Sequence, residues 1–216
     1  MHLVLAGLLA GLLSSLTSGL PATFTDGANR EANDELANAI ATSPDPTRFR
    51  GFCVFPMASP RDAAAELRRC MTTQGFVGAL VNAHLANESY YDGPAYDPLW
   101  AVAVAFHVPI YPHPTYPSLG DILDTGTGLR GRNQTLLEVW DGNVHVTTSG
   151  IFSLDPVATL VRNTDRSRIL YSVDYPLARN EDGARFMASL RGCGSVTPAE
   201  FAQVAYQNAA RLLKIT

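Results

Sequence analysis

Short apolar runs recur along the chain, each nearly continuous in apolar character rather than alternating with polar residues. They are Gly51–Phe55 (GFCVF), Val77–Val81 (VGALV), Val108–Tyr111 (VPIY), Val144–Thr148 (VHVTT) and Arg168–Val173 (RILYSV). Runs of this length and β-branched content predict strands buried on both faces. Between them the apolar spacing changes to that of a helix. Leu36, Ala37 and Ile40 share a face of a helix predicted over Ala32–Ala41. Ser59-Pro60-Arg61-Asp62 predicts a helix start, with an N-cap, a proline at the first position and an acid at the third. Gly75 predicts the stop. Thr197-Pro198-Ala199-Glu200 has the form of a capping box and opens a helix to about Leu213, with Phe201, Val204, Ala205 and Leu212 as its apolar stripe.

Strand and helix alternating at this spacing imply a parallel sheet with right-handed crossovers, either a (β/α)8 barrel or a doubly wound open sheet. No GxGxxG or GxxxxGK[ST] follows any of the runs, which removes the nucleotide-binding versions of the open sheet. The chain is long enough for one substantial core, and residues 1–216 are read as a single domain.

The N-terminal segment, residues 1–19, stands apart. Leu3–Leu13 (LVLAGLLAGLL) followed by small and polar residues matches the apolar and cleavage regions of a signal peptide, and is too short to span a membrane comfortably. No Lys or Arg precedes it. The competing expectation is an internal strand and helix start, with the protein cytoplasmic; a leader would instead make it secreted. Asn87-Glu88-Ser89 and Asn133-Gln134-Thr135 would then permit glycosylation.

Composition narrows the partners. The chain is 46% hydrophobic and 17% charged, with a net charge of -4 and no basic stripe, so nucleic acid is not an expected partner. The three cysteines, Cys53, Cys70 and Cys193, are widely spaced and form no CxxC pair. Neither a structural zinc site nor a disulfide framework is signalled, and buried free thiols are expected.

The polar residues of interest follow the strand runs, at the edge where parallel barrels place their chemistry. His113 follows VPIY between two prolines, where a rigid neutral imidazole suits a divalent metal; a histidine in a proline-rich loop is the alternative. Asp174 ends Tyr171-Ser172-Val173-Asp174-Tyr175-Pro176, where a buried carboxylate needs a metal or hydrogen bonds, unless it caps the turn before Pro176. His84 follows VGALV, ahead of Tyr90-Tyr91-Asp92, and either lines a substrate pocket or sits in a solvated loop. Thr147-Thr148-Ser149-Gly150 offers hydroxyl and backbone donors, with Ser149 the substrate-facing candidate. No GxSxG elbow accompanies it, so serine-nucleophile chemistry is not expected. His107 and His145 fall inside predicted elements and read as structural; His2 has no context.

Taken in order, these segments resemble the amidohydrolase-related family, in the branch of aminocarboxymuconate-semialdehyde, dihydroxybenzoate, resorcylate and carboxyvanillate decarboxylases. Asn33–Ala37, Arg48–Pro56, Gly78–Asn82, Tyr91–Gly93 through Leu99-Trp100, Val108–Pro114, Thr147–Gly150, Arg168–Pro176 and Asn208–Leu212 carry the resemblance. It covers the chain from about Leu13. It implies a metal-dependent (β/α)8 barrel holding one divalent metal, zinc or manganese. By the same resemblance His113 and Asp174 are ligands, with Asp174 also catalytic. The implied reaction is non-oxidative decarboxylation of a hydroxylated aromatic acid, and the implied assembly a homodimer.

Two departures accompany the resemblance. The family's opening Glu-x-His or His-x-His strand has no counterpart, and Leu13–Gly19 already resembles its second strand. Between Pro117 and Asn143 no histidine stands where the family has one. About six of eight strands are therefore expected, an incomplete barrel. The competing expectations are a catalytically impaired, truncated homologue and a lactonase-like hydrolase of the same superfamily.

Overall fold

The structure, a computed structural model, describes residues 3–5, 22–82, 84–85, 89–113, 136–150 and 152–215, with the backbone alone at 3–5, 22–26, 113, 136 and 137. The chain divides into two compact units, residues 1–123 and 124–216.

The first unit is built on four parallel strands in chain order: β1 (Leu3–Leu5), β2 (Phe49–Cys53), β3 (Gly78–Asn82) and β4 (Ile110–His113). β1 pairs with Phe49–Gly51, so the start of the N-terminal apolar run is a strand; Leu13–Gly19, read as a further strand, lies outside the described residues. The crossovers are the helices α1 (Ala22–Ala41), α2 (Pro60–Arg69), which runs on through a π turn at Cys70–Gln74, and α3 (Asp97–Phe106). Leu36, Ala37 and Ile40 of α1 pack on a core made by Cys53, Phe55, Leu67, Ala79, Val81 and Leu99. Gly51 and Gly78 hold places no side chain can take: a Cβ there would collide with the rings of Phe76 and Phe52. Helix α2 starts on Ser59 and Pro60 as the sequence predicts, though Ser59 turns its hydroxyl to the Asp62 carboxylate rather than to a backbone N–H. Gly75 closes the π turn in the left-handed conformation, φ 66°, which costs glycine little.

One expectation is overturned here. Cys53 and Cys70 are joined as a disulfide rather than standing as free thiols. A separation of 17 residues gives no hint of it. The crossover creates it: β2 delivers Cys53 and the end of α2 delivers Cys70 to one fully buried spot. Cys193 remains a free, exposed thiol.

The second unit contains α4 (Leu136–Asn143), β5 (Val146–Thr147), α5 (Leu154–Asn163), β6 (Ile169–Leu170) and α6 (Asn180–Gly192). A last helical stretch runs from α7 (Pro198–Ala202) through a π turn at Gln203–Gln207 into α8 (Asn208–Leu212). β5 and β6 pair in parallel, Val146 with Ile169 and Thr147 with Leu170. Val157, Val161, Ile169, Phe186, Leu190, Val196 and Val204 form its core. Asn208 donates to the carbonyls of Arg166 (2.7 Å) and Ile169 (2.9 Å), which ties α8 to the start of β6. Among the described residues there are six strands, and every pairing within each of the two sheets is parallel, in keeping with an incomplete barrel. No helix among them is long and apolar enough to cross a membrane.

Candidate functional site

In the first unit the candidate histidines gather at one edge of the sheet. β3 and β4 end together, Asn82 in register with His113, and His84 stands two residues past the end of β3. The His84 Nδ1 lies 2.7 Å from the Leu85 carbonyl oxygen. A carbonyl only accepts, so Nδ1 carries a proton and donates to it. The ring stands edge-on to Tyr90, with centroids 6.2 Å apart. Past it the strand-to-helix connection is aromatic. Tyr91 and Tyr96 meet edge to face at 5.4 Å, Trp100 donates to the Tyr91 carbonyl at 2.9 Å, and Tyr96 donates to the Met57 carbonyl at 2.9 Å. Burial, reinforced by Tyr96, pushes the Tyr91 phenol up to about 12, which keeps it protonated at neutral pH. Asn87 and Glu88, of the same connection, lie outside the described residues.

The second unit carries Ser149 and Asp174 past the ends of its two strands. Thr148 N–H donates to the Leu170 carbonyl at 3.0 Å, extending the ladder by one step. Beyond that, side-chain hydroxyls take over. Thr148 Oγ1 accepts from Ser172 N–H and donates to the Ser172 carbonyl, both at 3.3 Å. Ser149 Oγ lies 2.6 Å from Ser172 Oγ and 3.0 Å from Thr147 Oγ1. Ser172 is the member of this cluster that strand patterning did not single out. Asp174 stands in the left-handed backbone region, φ 68°, and its carbonyl accepts from Ala178 N–H at 3.0 Å; the Tyr175–Pro176 peptide is cis. Few non-glycine residues adopt positive φ, and aspartate is among the most tolerant. The conformation takes the chain sharply away from β6 at this residue.

Gly150 also has positive φ, 77°, and turns the chain from β5 toward α5. A cleft of about 630 Å³ opens beyond it, with Phe152 and Phe186 as its apolar wall and Arg179 and Arg185 at its edge. Each arginine is already matched, Arg179 with Glu181 at 3.6 Å and Arg185 with Asp182.

Donor chemistry decides whether the clustered ligand groups of the first unit suit a cation. Among the described residues, Cys53, Glu66 and Cys70 form the one group of three potential ligands within 4.8 Å of one another. It does not fit a metal. The two sulfurs are bonded to each other, and Glu66 is held by Arg69 (2.7 and 2.8 Å) and Asn33 (2.7 Å). His113, at the end of β4, and Asp174, past the end of β6, belong to different units; imidazole nitrogen and carboxylate oxygen are donor types that zinc and manganese take.

Comparison with known proteins agrees with the fold. The Amidohydrolase family model matches residues 17–149. Decarboxylase orsB of Emericella nidulans is 36% identical over 87% of this chain and 76% of its own length. A gamma-resorcylate decarboxylase of Rhodococcus jostii is 28% identical, covering 86% of this chain and 76% of that one. The crystal structure of a dihydroxybenzoic acid decarboxylase from Polaromonas sp., with bound manganese and the inhibitor 2-nitroresorcinol, superposes with a TM-score of 0.77. It is 27% identical, over 89% of this chain and 76% of that one. With parallel strands, helical crossovers and a family match over more than half its length, the chain belongs to the amidohydrolase family and has its metal-dependent hydrolase barrel fold.

Proposed function

We propose that this protein is a metal-dependent, non-oxidative decarboxylase of a hydroxylated aromatic acid, with His113 and Asp174 as ligands to one divalent cation, manganese or zinc. The observation that carries the reading is its likeness to decarboxylases at both levels, 36% identity in sequence and a TM-score of 0.77 in structure. When bound, the cation supplies a Lewis acid and a template for the acid's carboxylate and neighbouring hydroxyl. The chain's own residues do the rest. His113 offers a ring nitrogen from the end of β4. Asp174 would hold the cation through its carboxylate and would relay a proton taken up from solvent to the ring carbon that bears the substrate's carboxylate. As that carbon takes the proton, its bond to the carboxyl carbon breaks and carbon dioxide leaves. Ser149 and His84 bind the substrate's oxygens, the former by its hydroxyl and the latter by its ring. The substrate is a small aromatic carboxylic acid, and the protein acts in the cytoplasm as a homodimer.

Carbon dioxide release is measured from hydroxybenzoates, 2,6-dihydroxybenzoate among them, together with the metal content of the purified protein. Near-stoichiometric manganese or zinc and turnover are expected in the wild type. His113→Ala and Asp174→Ala are each expected to lose most of the metal and at least about a hundredfold in activity. A wild-type protein without metal and without carbon dioxide release from any acid in the panel sinks the proposal.

A further inference from the structure

Ser172 has no role in the proposed chemistry, yet it is the hub of the contacts that join the two strand ends of the second unit. β5 and β6 pair over only two residues. Past them Ser172 is gripped by the Thr147–Gly150 turn at three points: its N–H and its carbonyl on Thr148 Oγ1, and its hydroxyl on Ser149 Oγ at 2.6 Å. The last is the shortest contact of the cluster. It continues to Thr147 Oγ1, 3.0 Å from Ser149, so three hydroxyls form a chain with Ser149 in the middle.

A hydroxyl has one proton and two lone pairs. When Ser172 donates to Ser149, the Ser149 proton turns away from Ser172, and the chain polarises it. It then points to the other partners of Ser149, Thr147 among them, or to a substrate oxygen that displaces one of these contacts. Alanine at 172 leaves Ser149 free to turn its proton back along the strand. Valine or alanine would serve as well for strand packing alone, since Ser172 is only half-buried.

We infer that Ser172 is a positioning residue for substrate binding: through its 2.6 Å contact it fixes the rotamer and proton direction of Ser149, which then donates to an oxygen of the bound aromatic acid. The inference rests on the decarboxylase reading and on Ser149 as a substrate contact. Ser172 acts through Ser149, whose contact with the substrate is the same before and during reaction, so its loss weakens ground-state and transition-state binding alike.

The test uses the full chain loaded with manganese, in five forms: wild type, Ser172→Ala, Ser172→Thr, Ser149→Ala and the Ser149→Ala, Ser172→Ala double variant. KM and kcat are measured on 2,6-dihydroxybenzoate, Kd on 2-nitroresorcinol with and without manganese, and Tm on every form. Ser172→Ala is expected to raise KM and Kd about fivefold, with kcat within about twofold and Tm little changed. Ser172→Thr, which keeps the hydroxyl, restores KM. In the Ser149→Ala background, Ser172→Ala is expected to add nothing. Ser172→Cys replaces the alanine variant should the latter fail to fold. Unchanged KM and Kd in Ser172→Ala, or an equal loss with and without Ser149, overturns the inference and leaves the decarboxylase reading standing. A wild type that neither releases carbon dioxide nor binds 2-nitroresorcinol overturns that reading, and this inference with it.

Discussion

Glu66 is 2% exposed and ionisable, a combination that folding tolerates only with compensation. The compensation is complete. Arg69, one turn on, reaches its two oxygens from Nη2 and Nε at 2.7 and 2.8 Å, and Asn33 donates from α1 at 2.7 Å. Asn33 also donates to the Val54 carbonyl and accepts from the Val54 N–H, so one acid locks α1, α2 and the end of β2 together. The hydrogen bond that Arg69 donates to Glu66, together with that to Asp34, raises the Arg69 pKa further, and burial only partly offsets them. Arg69→Met is expected to destabilise the fold by about 3–5 kcal/mol in urea unfolding, since it strands a buried carboxylate. Glu66→Gln with Arg69→Met is expected to cost much less. His145 titrates in the opposite sense to a paired histidine. Burial first, then the Arg168 charge, hold it below its ordinary value of 6.5. Between that lower folded value and 6.5 the unfolded chain binds the extra proton, so stability falls as pH drops below about 6.5 and is indifferent to His145 above it. His145→Gln is expected to flatten the stability profile across that window, as read by Tm against pH.

At the scale of elements, local signals held where a backbone device enforces them. The capping box at Thr197 is one such case: Thr197 N–H donates to Glu200 Oε2 at 2.8 Å and Glu200 N–H to Thr197 Oγ1 at 3.3 Å. The Thr197 N–H and the Thr197 hydroxyl, which both donate to Glu200 Oε2, hold that carboxyl below the usual carboxylate range. Thr197→Ala is expected to cost about 1 kcal/mol, read by urea unfolding. Gly75 and the Pro60 start were legible for similar reasons, because each residue type is nearly restricted to its place. Boundaries set by tertiary contacts were not legible. GFCVF runs to Phe55, but β2 covers Phe49–Cys53, because Phe49–Gly51 pair with β1 and Phe52-Cys53 with β3. Helix α1 begins ten residues before the predicted Ala32, across Thr23–Arg30, where no apolar spacing announces it. VHVTT and RILYSV shrink to two paired residues each, because Thr148 and Ser172 bridge the strands through a hydroxyl where a ladder would run. Strand-end position pointed to His113, Asp174, His84 and Ser149. It passed over Ser172, since a serine inside an apolar run looks like any small strand residue until its neighbour across the sheet is known.

For the molecule as a whole, the Cys53–Cys70 bond separates what oxidation state does to stability from what it does to chemistry. Both sulfurs are fully buried in the first unit. Neither stands at the end of a strand carrying a candidate site residue. The bond closes a loop of 17 residues that contains the whole β2-to-α2 connection. In the chain-entropy account, a loop of this size limits the unfolded ensemble by about 3 kcal/mol. Reduction removes that restraint and puts two thiols in its place, within reach of the Glu66 carboxylate on the Cys70 side (3.7 Å) and Asn33 on the Cys53 side (3.7 Å). The thiols stay small and apolar enough for the core, so the reduced protein is expected to fold, with a lower Tm. The route to reduction is also fixed by burial. A reductant reaches the bond only when the first unit opens, while Cys193 is exposed and its thiol is drawn below the usual value by hydrogen bonds from Ser195. Alkylation with iodoacetamide after dithiothreitol treatment, followed by mass spectrometry, is therefore expected to label Cys193 within minutes at 25 °C. Cys53 and Cys70 should be labelled together, and only on warming or in urea. Decarboxylation is expected to survive until that second labelling begins and to fall with it, because loss then follows unfolding rather than any chemistry of the sulfurs. Equal labelling of all three cysteines in the native, unreduced protein would show the two buried sulfurs to be unbonded, and the reductant would then leave Tm unchanged.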